Sequence, residues 1–313
     1  VTKAGTRYRG LIIPGSGQMP ETVKAHIEEL KAQGARIFYD IDAAQLRTAA
    51  RPEPIKTKCG LKAIRRSNPT GHHYFIATLT PNDIQAVEPL AVTFKDAMWF
   101  NPLNGEMKRA AFDSKGVSID LRSGESMILQ TYYEPLTDNP MPTAALYKMA
   151  DSIDIVGPWT LSFMEESPQG DRSFKLDKLQ SWESLNDSTK VTMGTGVYAT
   201  KFRLPKNFNL KDNWMIDLGD VRESARVYIN GKFIGCAWSV PYILDCQQAL
   251  KVGDNELRIE VTNLPANRIA DLDRRGIKWR KMEEINVVDI NYRKTTYDQW
   301  SPVPSGLNAP VRL

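Results

Sequence analysis

The chain has 313 residues and a mass of 35.3 kDa, with 42% hydrophobic and 25% charged residues, room for two or three domains that each bury a core. It contains no run of about eighteen apolar residues, so no membrane span is expected, and a formal charge of +4 is too mild to imply a nucleic-acid partner. Three cysteines, Cys59, Cys236 and Cys246, are an odd count without C-x-x-C spacing, which argues against a structural zinc and a disulfide scaffold and leaves open one Cys236–Cys246 bridge.

Val1 opens the chain with neither an initiator Met nor a signal segment, so a natural terminus is not expected there. Residues 8–13 form a short apolar strand. A helix follows from Pro20, with Val23, Ile27 and Leu30 at helical spacing and Gly34 as its stop. Arg36–Ile41 is the next strand. Residues 1–50 thus make a partial α/β, flavodoxin-like unit, which needs neighbouring strands to cover both faces. His26 falls on the apolar stripe and is expected to be half-buried. Gly15 and Gly17 follow Pro14 without the Gly-Lys-Ser/Thr of a phosphate cradle.

Residues 51–134 read as a small β-sandwich. Its predicted strands are Leu61–Arg66, Tyr74–Leu79, Ala91–Phe94, Ala97–Phe100, Val117–Leu121 and Ser126–Gln130, separated by Asn-Pro, Pro-Asn, Asn-Gly and Ser-Gly turns. His72 and His73 are expected in a solvated loop. Residues 135–150, with Pro135, Pro140 and Pro142 close around them, read as a linker.

Residues 151–313 form the last domain and hold six of the seven tryptophans. Ala225, Val227 and Ile229 alternate with polar residues before Asn230-Gly231, the signal of a type I′ hairpin. Gly253-Asp-Asn255 marks a second turn, after which Leu257, Ile259 and Val261 alternate again. A twisted antiparallel sandwich follows.

The series Gly157-Pro-Trp159, Gly196-Val-Tyr198, Asp217-Leu-Gly219, Ala225-Arg-Val-Tyr-Ile-Asn-Gly231, Pro241-Tyr242, Gly253-Asp-Asn255, Val261-Thr-Asn263, Asn267-Arg268 and Pro310-Val311 resembles the family 2-type sugar-binding domain of glycoside hydrolases. The resemblance implies a galactose-binding-like jelly roll. The preceding half, with Ile64-Arg-Arg66 before Tyr74-Phe-Ile-Ala77, then Trp99-Phe-Asn-Pro-Leu-Asn-Gly105 and Ser126-Met-Ile-Leu129, resembles the C-terminal part of glycoside hydrolase family 106. Ile64, Thr78 and Ala309 stand where that family shows His, Asn and Gly. The fold expected is therefore mainly β, a β-sandwich followed by a jelly roll and preceded by the partial α/β unit. The function implied is that of an accessory region of an α-L-rhamnosidase-like enzyme of plant polysaccharide breakdown, periplasmic or secreted in bacteria. The partners implied are an upstream catalytic barrel and a carbohydrate; the alternative is a stand-alone carbohydrate-binding module. Similar jelly rolls often carry a structural calcium, and no other cofactor is implied.

No catalytic residue is expected within the chain. Glycoside hydrolysis needs two opposed carboxyl groups, one kept protonated; Glu165-Glu166 and Glu283-Glu284 are adjacent pairs with the character of solvated surface. Asp271 and Asp273 share a face if their segment is extended. The expected carbohydrate-binding residues are Arg268, Asp271, Asp273, Trp279 and Tyr292, which combine planar donors, acceptors and stacking faces. Arg268 is equally a candidate for a buried guanidinium paired to one of these acids. The basic run Arg274 to Lys281 is nearly neutralised by its acidic neighbours, which favours a mixed loop or interdomain contact.

Overall fold

The computed structural model describes residues 5–15, 18–137, 142–143, 152–170, 172–282, 290–291 and 293–313. The chain divides into two compact units, Val1–Tyr147 and Lys148–Leu313.

The first unit begins with β1 (Leu11–Ile13), α1 (Glu21–Ala32) and β2 (Ile37–Tyr39), whose strands pair in parallel. Gly34 ends α1 at φ +85°, the left-handed residue that the sequence placed there. Helix α2 (Ala43–Ala49) is capped by Asp42, whose Oδ1 accepts the Ala44 N–H at 2.8 Å. Among the described residues here only Ile27 and Phe38 are buried, while Leu11, Ile12, Val23, Tyr39 and Ile41 are exposed. His26, about 100° round the helix from buried Ile27, turns to solvent beside Glu29, not half-buried as expected.

After the single turn α3 (Pro54–Thr57), the chain forms β3 (Lys62–Asn68), β4 (Gly71–Ala77), β5 (Ile84–Glu88), β6 (Asp96–Phe100), β7 (Met107–Arg109), β8 (Phe112–Asp113), β9 (Gly116–Leu121) and β10 (Ser126–Tyr132). A five-stranded sheet, β3-β4-β10-β6-β7, accompanies a three-stranded one, β5-β9-β8. Tyr74, Ile76, Trp99, Val117, Ile119, Leu121 and Leu129 fill their shared core. The strand expected at Ala91–Phe94 is absent: Pro89 ends β5, and Val92 and Phe94 lean on the core without joining a ladder. His72 and His73 lie on β4, not in a loop, and alternate between a half-buried and an exposed setting.

The second unit comprises β11 (Asp154–Ile155), β12 (Trp159–Ser167), β13 (Ser173–Leu176), the short α4 (Asp187–Lys190), β14 (Met193–Leu204), β15 (Met215–Asp217), β16 (Val221–Arg222), β17 (Ser224–Ile229), β18 (Lys232–Ala237), β19 (Ile243–Asp245), β20 (Gly253–Thr262), α5 (Ala266–Arg274), β21 (Gly306–Leu307) and β22 (Val311–Arg312). Its six-stranded sheet runs β13-β12-β14-β20-β17-β18 and its four-stranded sheet β11-β22-β15-β19. All pairs among them are antiparallel. The alternation in β17 and β20 buries Ala225, Val227, Ile229, Leu257, Ile259 and Val261 against Ile216, Leu218 and Val311. This is a mainly β chain whose second unit is an antiparallel β-sandwich.

The hairpin is the expected one: Asn230 and Gly231 have φ +52° and +78°, and Ile229 pairs with Lys232 across them. Cys59, Cys236 and Cys246 are free thiols. Burial pushes the Cys246 thiol up to about 12. The Glu165-Glu166 pair meets the solvated expectation at Glu165, which is exposed, and departs from it at Glu166. It sits on a bulge of β12, Glu165 has φ +51°, and Glu166 is buried in an ion pair with Arg172. Arg172 in turn donates to Ser188 and Thr192 at 2.8 and 2.7 Å.

Candidate functional site

The expected binding segment begins as a helix. Pro265 sits just ahead of α5, and its fixed φ suits that entry. Asn267 and Ala270 face inward at helical spacing. The helix stops at Gly276, φ +64°, where Gly276 N donates to the Asp273 carbonyl at 3.0 Å and Ile277 N to Leu272 at 2.9 Å, a Schellman closure.

Helicity corrects the expectation that Asp271 and Asp273 share a face. Two residues along a helix are about 200° apart. Asp271 lies one turn from Arg268, whose Nη1 donates to its Oδ2 at 2.9 Å, and both side chains are largely buried. Arg275 approaches the same oxygen at 3.5 Å. Arg268 is thus paired to an acid here, and its Nε is buried without a partner among the described residues.

Asp273 points the other way and organises the loop. Its Oδ1 accepts the Trp279 indole N–H at 2.6 Å and its Oδ2 the Tyr297 backbone N–H at 2.8 Å. Those two donors, the backbone one first, hold its carboxyl below the usual range. From the last turn of α5, Arg274 donates from Nε to the Asp298 carbonyl at 2.9 Å and from Nη2 to that of Trp300 at 2.6 Å. From the first turn, Asn267 pairs with Val303 through both amide atoms. One short helix therefore pins the returning chain at three places.

Those pins assemble an aromatic platform. The Trp279 and Tyr297 rings lie 6.1 Å apart and those of Tyr297 and Trp300 4.5 Å apart. The Arg280 guanidinium lies 5.1 Å from the Trp279 centroid and 5.4 Å from that of Tyr297. Trp300 is 49% exposed, and Met282 and Ile290, which fall between Trp279 and Trp300 in sequence, are 87% and 99% exposed.

Of the five expected binding residues, the structure joins Asp273 to Trp279, sets Arg268 with Asp271 elsewhere on α5, and leaves Tyr292 outside the described residues, as are Glu283 and Glu284. Tyr297 and Trp300 are the members that the sequence reading missed. Their three-residue spacing before Pro302, downstream of Trp279, was the available signal.

The site can stack and hydrogen-bond, but among its described residues Asp271 and Asp273 are not set for acid catalysis. A general acid needs a raised pKa, whereas Asp273 is held low and Asp271 is committed to two guanidinium groups. Among the described residues no group of three or more His, Cys, Asp or Glu gathers as metal ligands would.

Residues 183–303 match the family described as Glycosyl hydrolase 2 galactose-binding domain-like. A protein of Formosa agariphila carrying a provisional β-glucuronidase name is 28% identical over 224 residues, covering 64% of this chain and 19% of that protein. A rhamnosidase from Novosphingobium sp. PP1Y superposes with TM-score 0.62 at 20% identity, over 96% of this chain and 30% of its own length. The latter likeness is one of fold. The chain spans less than a third of either protein.

Proposed function

We propose that this chain is a non-catalytic accessory region of a glycoside hydrolase, α-L-rhamnosidase-like in kind, acting on plant polysaccharide outside the bacterial cytoplasm. Its α5 loop faces saccharide at the edge of a catalytic barrel carried elsewhere in the parent protein. The observation that carries this reading is the platform of Trp279, Tyr297 and Trp300 held by α5. Neighbouring aromatic rings with adjacent polar groups suit the flat apolar face of a sugar ring.

Two observations favour a docked region over a free-standing binding module. Met282 and Ile290, in the same stretch of sequence as Trp279 and Trp300, are almost fully exposed apolar side chains, the type of residue that a contact surface presents. The two-stranded parallel sheet likewise leaves Leu11, Ile12, Tyr39 and Ile41 uncovered, although such sheets are normally covered on both faces. The free-standing module remains the second reading, favoured by the accessible ring of Trp300.

Titration with L-rhamnose, D-galactose and pectic oligosaccharides, followed by tryptophan fluorescence, tests the platform. Saturable quenching is expected, and it is expected to be lost in Trp300→Ala and weakened in Arg274→Ala. Flat spectra with every sugar would leave only a scaffold role. Turnover of an aryl α-L-rhamnoside by the purified chain would overturn its non-catalytic assignment. A structural calcium would have to rest mainly on backbone carbonyls, and a melting temperature insensitive to EDTA would dispose of it.

A further inference from the structure

The first unit contains a second site far in sequence from α5. A cavity of about 390 Å³ is lined by Arg9 ahead of β1, Arg47 on α2, Arg51 just beyond it, Arg65 on β3 and His72 on β4. Small side chains, Ala49, Ala50, Ala91 and Val92, form the remaining walls. No Phe, Tyr or Trp ring stands among these lining residues.

The charge of this cavity is unbalanced. Arg65 is matched by Glu53, a buried carboxylate that also accepts the Ala91 N–H at 2.9 Å and the Tyr74 hydroxyl at 3.3 Å. Among the described residues Arg9, Arg47 and Arg51 have no carboxylate partner. The Thr48 carbonyl, near the end of α2, is taken by Arg36 at 2.8 Å. Converging guanidinium groups repel one another, and an oxyanion relieves that repulsion while accepting paired N–H donors in a planar fork.

His72 adds an independent sign. Its Nδ1 is buried without a partner among the described residues, and the Tyr133 ring meets the imidazole edge-on at 5.6 Å. Burial first, and Arg65 second, push its pKa below the usual value. An acceptor arriving in the cavity would satisfy that nitrogen and reverse the shift.

We infer that this cavity binds the oxyanion group, carboxylate or sulfate ester, of an acidic saccharide. The saccharide body of the ligand rests on the function proposed above; its charge is set by the arginines alone.

The test follows the His72 imidazole by NMR in the full chain as glucuronate, galactose 6-sulfate, glucose and inorganic sulfate are added. A saturable shift is expected with glucuronate or galactose 6-sulfate at about millimolar concentration, with the His72 pKa rising and glucose inert. Arg47→Ala and Arg51→Ala, at exposed positions, are expected to weaken that binding at least about tenfold each, and Trp300→Ala to leave it unchanged. Because Trp300 belongs to the other unit, failure of the platform and failure of this cavity are read separately. Absence of a saturable shift with both acidic sugars, a response to inorganic sulfate alone, or binding unaffected by both arginine substitutions would each overturn the inference.

Discussion

Asn267 closes the loop of the candidate site by treating Val303 as a strand partner. Its Nδ2 donates to the Val303 carbonyl at 2.9 Å and its Oδ1 accepts the Val303 N–H at 2.8 Å, across 36 positions of chain. A side-chain amide is the one group that offers donor and acceptor in that geometry without a backbone. Because Asn267 is buried, Asn267→Ala leaves both Val303 groups unsatisfied and is expected to cost about 2 kcal/mol. Asn267→Asp keeps the acceptor but turns a carboxylate oxygen toward the Val303 carbonyl, so at neutral pH it should be no more stable than Ala in urea melts and should recover as pH falls. Equal stability of all three proteins would show that water replaces the clamp.

A similar economy joins the two turns of the opposite region. Asn230 donates from Nδ2 to Asn255 Oδ1 at 2.8 Å, and Asn255 Nδ2 serves the Lys251 and Gly253 carbonyls at 2.7 and 2.9 Å. Asn255 is fully buried. Asn255→Ala is expected to destabilise the second unit by about 3 kcal/mol, several groups being orphaned at once. Asn255→Asp should be worse at neutral pH, since a carboxylate would face two carbonyl oxygens, and should recover as pH falls. Thermal melts of both variants between acid and neutral pH decide this.

Gly306 shows how tightly the returning chain meets the core. At φ +90° it passes so close that a Cβ would stand 2.3 Å from Trp182 Nε1 and 2.5 Å from the Tyr198 hydroxyl. Those two groups are bonded to each other at 2.8 Å, and the Tyr198 oxygen also accepts the Leu307 N–H at 3.1 Å. Gly306→Ala combines a left-handed backbone with a clash against a buried pair and is expected to cost roughly 3 kcal/mol or more. Tyr198→Phe, which removes only the shared oxygen, should cost about 1–2 kcal/mol. A Gly306→Ala protein as stable as wild type would mean that the strand does not pass there.

The sandwich was legible because alternation and turn chemistry agreed: Ala225, Val227 and Ile229 run straight into Asn230-Gly231, and both central residues take the left-handed conformation. Ala91–Phe94 misled because its apolar residues pack on the core from an irregular segment, which periodicity cannot distinguish from a strand. The site was half legible. Arg268, Asp271, Asp273 and Trp279 were picked by type, but their mutual geometry required α5. Its boundary signals, Pro265 and Gly276, were present and outweighed by the i, i+2 spacing of the two aspartates. Tyr297 offered only its aromatic type and its spacing from Trp300; its backbone N–H, which meets Asp273 only after the chain returns, left no mark in the sequence.

Asp273 provides the pH signature of the assembled loop. Its folded pKa lies below the ordinary carboxylate value because Tyr297 N–H and Trp279 Nε1 favour the charged form. For a depressed pKa, the stabilisation is fully present above the unfolded value of about 3.9 and is lost as pH falls through the folded one. The Trp279 indole N–H resonance should therefore keep its bonded shift from neutral pH down to about 4 and move only below it. Asp273→Asn has a single side-chain oxygen for two donors, so one bond is lost at every pH and the acid step should vanish. The same substitution should loosen the platform, lowering any sugar-induced quenching at Trp300 without unfolding the sandwich. A wild-type midpoint at or above about 4, or an acid step that persists in Asp273→Asn, would show that another group holds the loop.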